Sequence, residues 1–237
     1  ASDVYKRQEI TTVDKPAGGL GTYSPSFMNI SLSYAKIFSN SIYGGMTVKM
    51  ISEQISNVGA NGVALDAGIQ YVTGSEDNFK FGIALKNVGP RMSFSGDGLS
   101  FRGIVGDADD YKMTVEQRSS ELELPALLNI GLSYDVNFIQ HRITGAGTFT
   151  SNSFQKDQYR FGGEYSYNEI FMLRLGYTYE DGIRTPSTRT TALRGPSAGF
   201  TVELPMGDNG STFGLDYSYR HTDPFQGSHT IGARINL

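Results

Sequence analysis

Residues 158–179 read QYRFGGEYSYNEIFMLRLGYTY, and this stretch decides the fold. In its first half, Tyr159, Phe161, Gly163, Tyr165 and Tyr167 alternate with Gln158, Arg160, Gly162, Glu164 and Ser166. After Asn168-Glu169 the rhythm resumes, with Phe171, Leu173, Leu175, Tyr177 and Tyr179 set against Met172, Arg174, Gly176 and Thr178. A period of two puts the two sets on opposite faces of a strand, so the stretch predicts an antiparallel hairpin. Each arm is about ten residues long, whereas strands of soluble domains average about five or six. About ten is the length a tilted strand needs to cross a bilayer.

The same rhythm recurs in both directions. Upstream it predicts strands over 27–38, 42–51, 60–72, 79–86, 128–136 and 139–149; downstream over 198–204, 213–219 and 229–237. With the hairpin, that makes about eleven long strands and no amphipathic helix. Lys36 falls on the apolar side of the first strand, a position that suits an interface where its ammonium can snorkel. Residues 9–26, with Pro16, Gly18, Gly19, Gly21 and Pro25, read as an irregular lead-in. Residues 87–124 are the longest break in the rhythm and read as a long loop. Asp181 to Gly195 reads as a polar turn, and Asp208-Asn209-Gly210 as a hairpin turn.

Composition narrows the class. The chain has 237 residues with 29 glycines, 14 tyrosines and 14 phenylalanines, no cysteine and no tryptophan. Without thiols there are no disulfides, thiolate metal sites or cysteine nucleophiles. A net charge of -4 gives no nucleic-acid footprint. No apolar run approaches eighteen residues, which excludes a transmembrane helix but leaves a membrane barrel open, because barrel strands are only half apolar. Strand length, aromatic residues toward strand ends and a second face of small and charged residues favour lipid over the core of a soluble sandwich. The predicted fold is therefore all-β, an antiparallel transmembrane β-barrel over residues 27–237. The opening ASDVYKRQ (1–8) looks like an adapter-derived run at the end of an assembled fragment. It is expected to be non-native, with the natural N-terminus and any signal peptide missing.

Several segments resemble the PorV/PorQ family of Bacteroidetes outer-membrane proteins, barrels of the FadL-like type. They are YAKIFSNSIYGGMTVKMI (34–51), GVALDAGIQYVTG (62–74), FGIALKNVGPRMSFSGDG (81–98), ELPALLNIGLSYD (123–135), HRITGAGTFTSNSF (141–154) and the end of the chain from FGLDYSYRHTDPFQGSHTIGARINL. The resemblance implies a non-catalytic outer-membrane component or carrier in type IX secretion, with translocon subunits and secreted cargo as partners. The alternative within the same fold is a FadL-like transporter of hydrophobic small molecules, which calls for an apolar pocket and a lateral opening. An orphan porin-like barrel is a third reading. Barrels of this type have about fourteen strands and an N-terminal plug, so about three strands and the plug are expected to be missing. An open or strained sheet follows, because unpaired edge groups are costly in lipid.

On the face opposite the apolar one the sequence collects Lys49, Asp66, Lys80, Lys86, Arg142, Arg160, Glu164, Arg174, Glu203, Asp216, Arg220 and Arg234. These are expected to line a lumen, either as paired structural filling, the favoured reading, or as a charge filter. Arg91, Phe94, Gly96, Asp97 and Gly98 in the long loop are candidates for touching a protein partner. Gly96-Asp97-Gly98 and Asp107, Asp109 and Asp110 supply oxygen ligands but lack full calcium-loop spacing. His141, His221 and His229 are scattered, with no HExxH pattern or nucleophile elbow, and no spacing singles out Ser153 or another serine. Gly44, Gly45, Gly162 and Gly163 read as strand curvature rather than phosphate binding. No catalytic, metal or cofactor constellation emerges.

Overall fold

The computed structural model describes residues 8–12, 14–104, 112–206, 210–223 and 225–236. Asp107, Asp109 and Asp110, Asp208-Asn209 of the predicted turn, and Leu237 lie outside the described residues. Eleven long strands form one antiparallel sheet. They are β3 (Ser26–Ser39), β4 (Ile42–Ile55), β5 (Val58–Thr73), β6 (Phe79–Val88), β9 (Leu127–Asn137), β10 (His141–Asn152), β11 (Gln158–Tyr167), β12 (Phe171–Glu180), β13 (Leu193–Met206), β14 (Ser211–Thr222) and β15 (Ser228–Asn236). Each pairs with the next in chain order, and β3 and β15 are the terminal strands. Two small pairs stand apart: β1 (Gln8–Glu9) with β2 (Thr22–Tyr23), inside the lead-in, and β7 (Ser100–Ile104) with β8 (Lys112–Glu116).

The chain divides into two compact units. One comprises Ala1–Tyr34, Met46–Asp66 and Lys86–Leu124; the other comprises Ala35–Gly45, Ala67–Leu85 and Pro125–Leu237. The first includes the described residues of 87–124, which reads as a long loop in the sequence. It holds a 3-10 turn at Asp97–Leu99 and the β7–β8 hairpin, and it bridges to β5 through Gly59 and Ser95. Met92 is buried there over Gly62. Short pairs of this kind have too few residues for alternation to stand out.

The second unit carries the hairpin that opened the reading. Tyr165 pairs with Leu173, Phe161 with Tyr177 and Glu164 with Arg174, so both faces fall as the alternation predicts. Asn168 and Glu169, at φ 51° and 53°, both take the left-handed conformation that a two-residue hairpin turn matching strand twist requires. At the β13–β14 turn Met206 pairs with Ser211, and Gly210 has φ 79°.

β13 departs from expectation. It begins at Leu193, inside the predicted polar turn, and its register with β14 shifts between Leu193 and Ser197. Gly195 sits there at φ 104° against the Thr178 carbonyl and the Tyr177 ring, where a Cβ has no room. Pro196 follows, with no N–H to give to the ladder. Pairing between β12 and β13 runs from Phe171↔Val202 only as far as Tyr177↔Pro196. Thr178 to Glu180 therefore have no β13 partner.

Among the described residues almost nothing apolar is buried. The buried hydrophobic residues are Ile51, Ala60, Ala64, Val72, Met92, Met172 and Ile183. The alternating apolar set faces outward, with Phe161 60%, Leu175 62% and Ile231 81% exposed. Soluble monomers seldom show contiguous apolar patches beyond a few hundred Å². A stripe this wide requires an apolar medium. Aromatic contacts gather toward strand ends: Phe149, Tyr159 and Tyr179 at one, His141, Tyr165 and Tyr167 at the other. Tyr159 and Tyr167 stand roughly 26 Å apart along β11 at about 3.3 Å per residue, close to the band of about 25 Å between the aromatic girdles of membrane sheets. The expected class, an all-β antiparallel transmembrane sheet of about eleven strands, is what this chain forms.

Candidate functional site

The polar face of the second unit is built in rows set by strand register. One row and its neighbour carry charge. Lys80 Nζ lies 2.5 Å from Asp135 Oδ2, and Asp135 Oδ1 accepts from Thr144 Oγ1 at 2.7 Å. Arg142 donates to Thr144 Oγ1 at 2.8 Å, to Glu164 Oε1 at 2.9 Å and through two nitrogens to Glu169 at 2.8 and 2.9 Å. Arg174 shares Glu164 and donates to Thr201 Oγ1 at 2.6 Å, whose hydroxyl reaches Asp216 at 2.5 Å. The result is a continuous ladder across β6, β9, β10, β11, β12, β13 and β14. Its charges meet opposite partners through directed bonds, as groups withdrawn from water must.

The adjoining row, two residues along each strand, is built from small side chains. Register aligns Ser133, Ala146 and Gly162 across β9, β10 and β11. Gly176, Ser197 and Arg220 continue it across β12, β13 and β14. Beyond it lie Thr148 and Arg160, then a buried polar layer in which Gln158 Nε2 donates to Glu180 at 2.9 Å and Thr150 Oγ1 donates to Asn129 at 2.8 Å. Small residues between two filled layers leave space. A cavity of about 670 Å³ lies over Gly68, Gly82, Ala84, Gly131, Ser133 and Ala146. A second, of about 520 Å³, lies over Ala146, Gly162, Gly176, Ser197, Gly199 and Gly232. A third, of about 240 Å³, opens beside the interrupted β12–β13 pairing and shares Gly176, Ser197 and Arg220 with the second.

The predicted charges divide accordingly. Lys80, Arg142, Glu164, Arg174 and Asp216 belong to the ladder. Glu203 and Arg234 form a satellite at 2.9 Å, with Thr212 at 2.5 Å and Asn236 at 3.0 Å also donating to Glu203. Arg160 donates to Gln158 Oε1 at 2.8 Å. Arg220 ends the small-residue row. In the first unit Lys49 pairs with Asp66 at 2.6 Å and donates to Asn87 at 2.9 Å, and Lys86 interacts through space with the Asp66 carboxylate. Of the glycines read as strand curvature, Gly44 and Gly45 also line the first cavity and Gly162 and Gly163 the second.

The loop candidates are packed rather than free. Arg91 pairs with Glu121 and Glu123, which hold its guanidinium above its ordinary pKa. Phe94 exchanges both backbone bonds with Ser119 Oγ, and Gly96 and Gly98 press on Asn57 and Val58. Asp97 is exposed. Among the described residues no cluster of three acidic or histidine side chains could hold a metal ion. Each histidine is held by a tyrosine hydroxyl: His141 by Tyr165, His229 by Tyr217 and His221 by Tyr219.

Sequence reasoning missed several participants. Asp135 sits at polar-face parity between Tyr134 and Val136, so alternation did mark it. Thr144 and Thr201 carry no charge to draw the eye, although they join the ladder. Glu169 lies in a turn, where period says nothing. The break at Gly195-Pro196 was legible as a Gly-Pro pair, but as a turn signal, not as a bulge inside a strand.

No family model matches the chain, and no curated protein does. Solved structures do align with it. The CymD monoaromatic hydrocarbon channel aligns over 90% of this chain and 73% of its own at 11% identity, TM-score 0.46. The Ralstonia pickettii toluene transporter TbuX aligns over 92% and 68% at 15% identity, TM-score 0.48. A mutant of the Rh. blastica porin aligns over 94% and 84% at 10% identity, TM-score 0.32.

Proposed function

We propose that this chain forms an outer-membrane β-barrel of FadL-like type that passes small hydrophobic molecules, without catalysis. The observation that carries this reading is the row of small residues. Its 520 Å³ cavity shares three residues with the space at the broken β12–β13 pairing. A lumen packed solid by its charges would defeat transport. Here Glu164, Arg174 and Asp216, which reach the cavity, are paired within the ladder, and the floor between them is glycine, alanine and serine. That floor supports the reading of a passage for apolar molecules, and the gap after Tyr177↔Pro196 supports a lateral opening beside it. Lipid is the medium that the exposed aromatic and aliphatic stripe demands.

The test is uptake of labelled toluene by Gram-negative cells carrying the full chain in their outer membrane. Uptake should exceed that of cells without it. Gly162→Phe should lower the gain at least tenfold, because the nearest atom to a Cβ at Gly162 is the Leu175 carbonyl oxygen at 3.6 Å, leaving room for the ring to grow into the cavity. Equal uptake with and without the protein ends this reading.

The PorV/PorQ resemblance supports a second reading, a component or carrier of type IX secretion. The structural observation favouring it is the packed, ion-paired segment around Arg91 with Asp97 exposed beside it, a preformed surface for a protein partner. Affinity capture from the native outer membrane that returns translocon subunits, or cargo with the type IX C-terminal sorting domain, would replace the transport reading with this one.

A further inference from the structure

Most cations of the polar face come with carboxylate partners. Lys49 has Asp66, Lys80 has Asp135, Arg142 and Arg174 share Glu164, and Arg234 has Glu203. Arg220 breaks the pattern. Among the described residues its guanidinium makes neither a hydrogen bond nor an ion pair. It nevertheless lines both the 520 Å³ and the 240 Å³ cavities. The smaller cavity is faced by a second guanidinium, that of Arg160. Gln158 accepts from Arg160 at 2.8 Å and donates to the fully buried Glu180 at 2.9 Å, while Thr190 donates to Glu180 at 2.5 Å. This buried relay holds Arg160 in position with its other nitrogens uncommitted. Thr178 and Ser197, each with a hydroxyl, line the same space. The carboxylates of the adjoining cavity, Glu164 and Asp216, are already engaged by Arg142, Arg174 and Thr201.

We propose that Arg220 and Arg160 form a binding site for a small oxyanion, a carboxylate or a phosphate, in the 240 Å³ cavity beside the β12–β13 break. Planar guanidinium groups meet such anions with paired N–H donors, and nearby hydroxyls complete the shell. Arg220 brings the uncompensated charge. Arg160, whose charge is shared with Glu180 through Gln158, adds oriented donors. The volume lies below the roughly 300–1,000 Å³ of sites that enclose drug-sized ligands, which suits a single-ring acid or an inorganic anion. The site does not depend on hydrocarbon transport, since its two guanidinium groups would hold an anion whether or not the floor of small side chains passes a hydrocarbon.

Isothermal titration of the full chain in detergent, with benzoate and with inorganic phosphate, tests it; toluene serves as the uncharged control. Benzoate, phosphate or both should bind, more weakly as salt rises, and the one that binds identifies the anion as carboxylate or phosphate. Arg220→Gln should weaken binding at least tenfold, Arg220→Lys should retain part of it, and Arg160→Gln should weaken it less than Arg220→Gln. The Arg220 guanidinium makes no hydrogen bond or ion pair with a described residue, and its backbone pairing with Ser197 and Ser228 is unchanged by the substitution, so Arg220→Gln should keep the far-ultraviolet spectrum of the parent. Failure of both anions to bind the parent, or binding that Arg220→Gln leaves unchanged, overturns the assignment.

Discussion

Two neighbouring rows of one sheet face make opposite uses of the same backbone. The row through Thr144, Glu164 and Arg174 is filled and its side chains are bonded to one another. The row through Ala146, Gly162 and Gly176, two residues away along each strand, presents almost no side chain at all. Backbone pairing is continuous through both. The difference lies in what each row asks of its side chains: the ladder ties strands together, and its neighbour leaves volume. One row thus bonds the strands to one another and the other leaves space, with separate residues for each on one surface.

That separation can be broken in order of effect. The deepest assumption is that the opposite face meets lipid. Leu175→Arg should cost about 2–4 kcal/mol if Leu175 lies at mid-bilayer. It should cost within about 0.5 kcal/mol if that face meets water. Urea unfolding of the protein in lipid vesicles reads the difference. Next comes the ladder. Glu164 is less than one-fifth exposed, and its removal strips Arg174 of its nearest carboxylate and Arg142 of one of its own. Glu164→Ala should destabilise by about 2 kcal/mol, below the 3–5 typical of fully buried pairs because Arg174 is 43% exposed. Toluene uptake by the folded fraction should hold, the reverse of the Gly162→Phe pattern. A variant that lost uptake and kept stability would merge the two rows.

The smallest effect belongs to the turn. Hydrogen bonds from Arg142 hold the Glu169 carboxyl below the usual glutamate range. A depressed folded-state pKa means that the stabilisation is complete above the unfolded value of about 4.3 and is lost as pH falls through the folded value. The unfolding midpoint should therefore drop between about pH 5 and pH 3, and Glu169→Gln should flatten the part that Glu169 supplies, about 0.5 kcal/mol for so exposed a pair. An identical pH profile in parent and Glu169→Gln would remove the turn from the ladder.

Much of this architecture was written in alternation. The hairpin from Gln158 to Glu180, with all of its facing, needs nothing beyond a period of two. The polar-face charges were legible for the same reason. What alternation could not show is which charges meet. Register makes Glu164 the partner of Arg174 and leaves Arg220 beside Ser197, and register depends on turns and bulges far from either residue. The Gly195-Pro196 break was hidden because proline argues against a strand interior unless the ladder is already interrupted. Residues 87–124 were opaque because a segment held by scattered contacts such as Arg91 to Glu121 has no period to detect.

One consequence of the small-residue row concerns how such a protein changes over generations. A Cβ added at Gly162 in that row would find its nearest atom at 3.6 Å, and at Gly82 or Gly232 on the cavity floors beside it at 3.7 Å, all ordinary contact distances. Sheet hydrogen bonds use backbone alone, so a methyl or an isopropyl group at any of these points trims the cavity and leaves the fold intact. On the transport reading, substrate range can then drift one residue at a time through substitutions that leave the pairing of the strands in place.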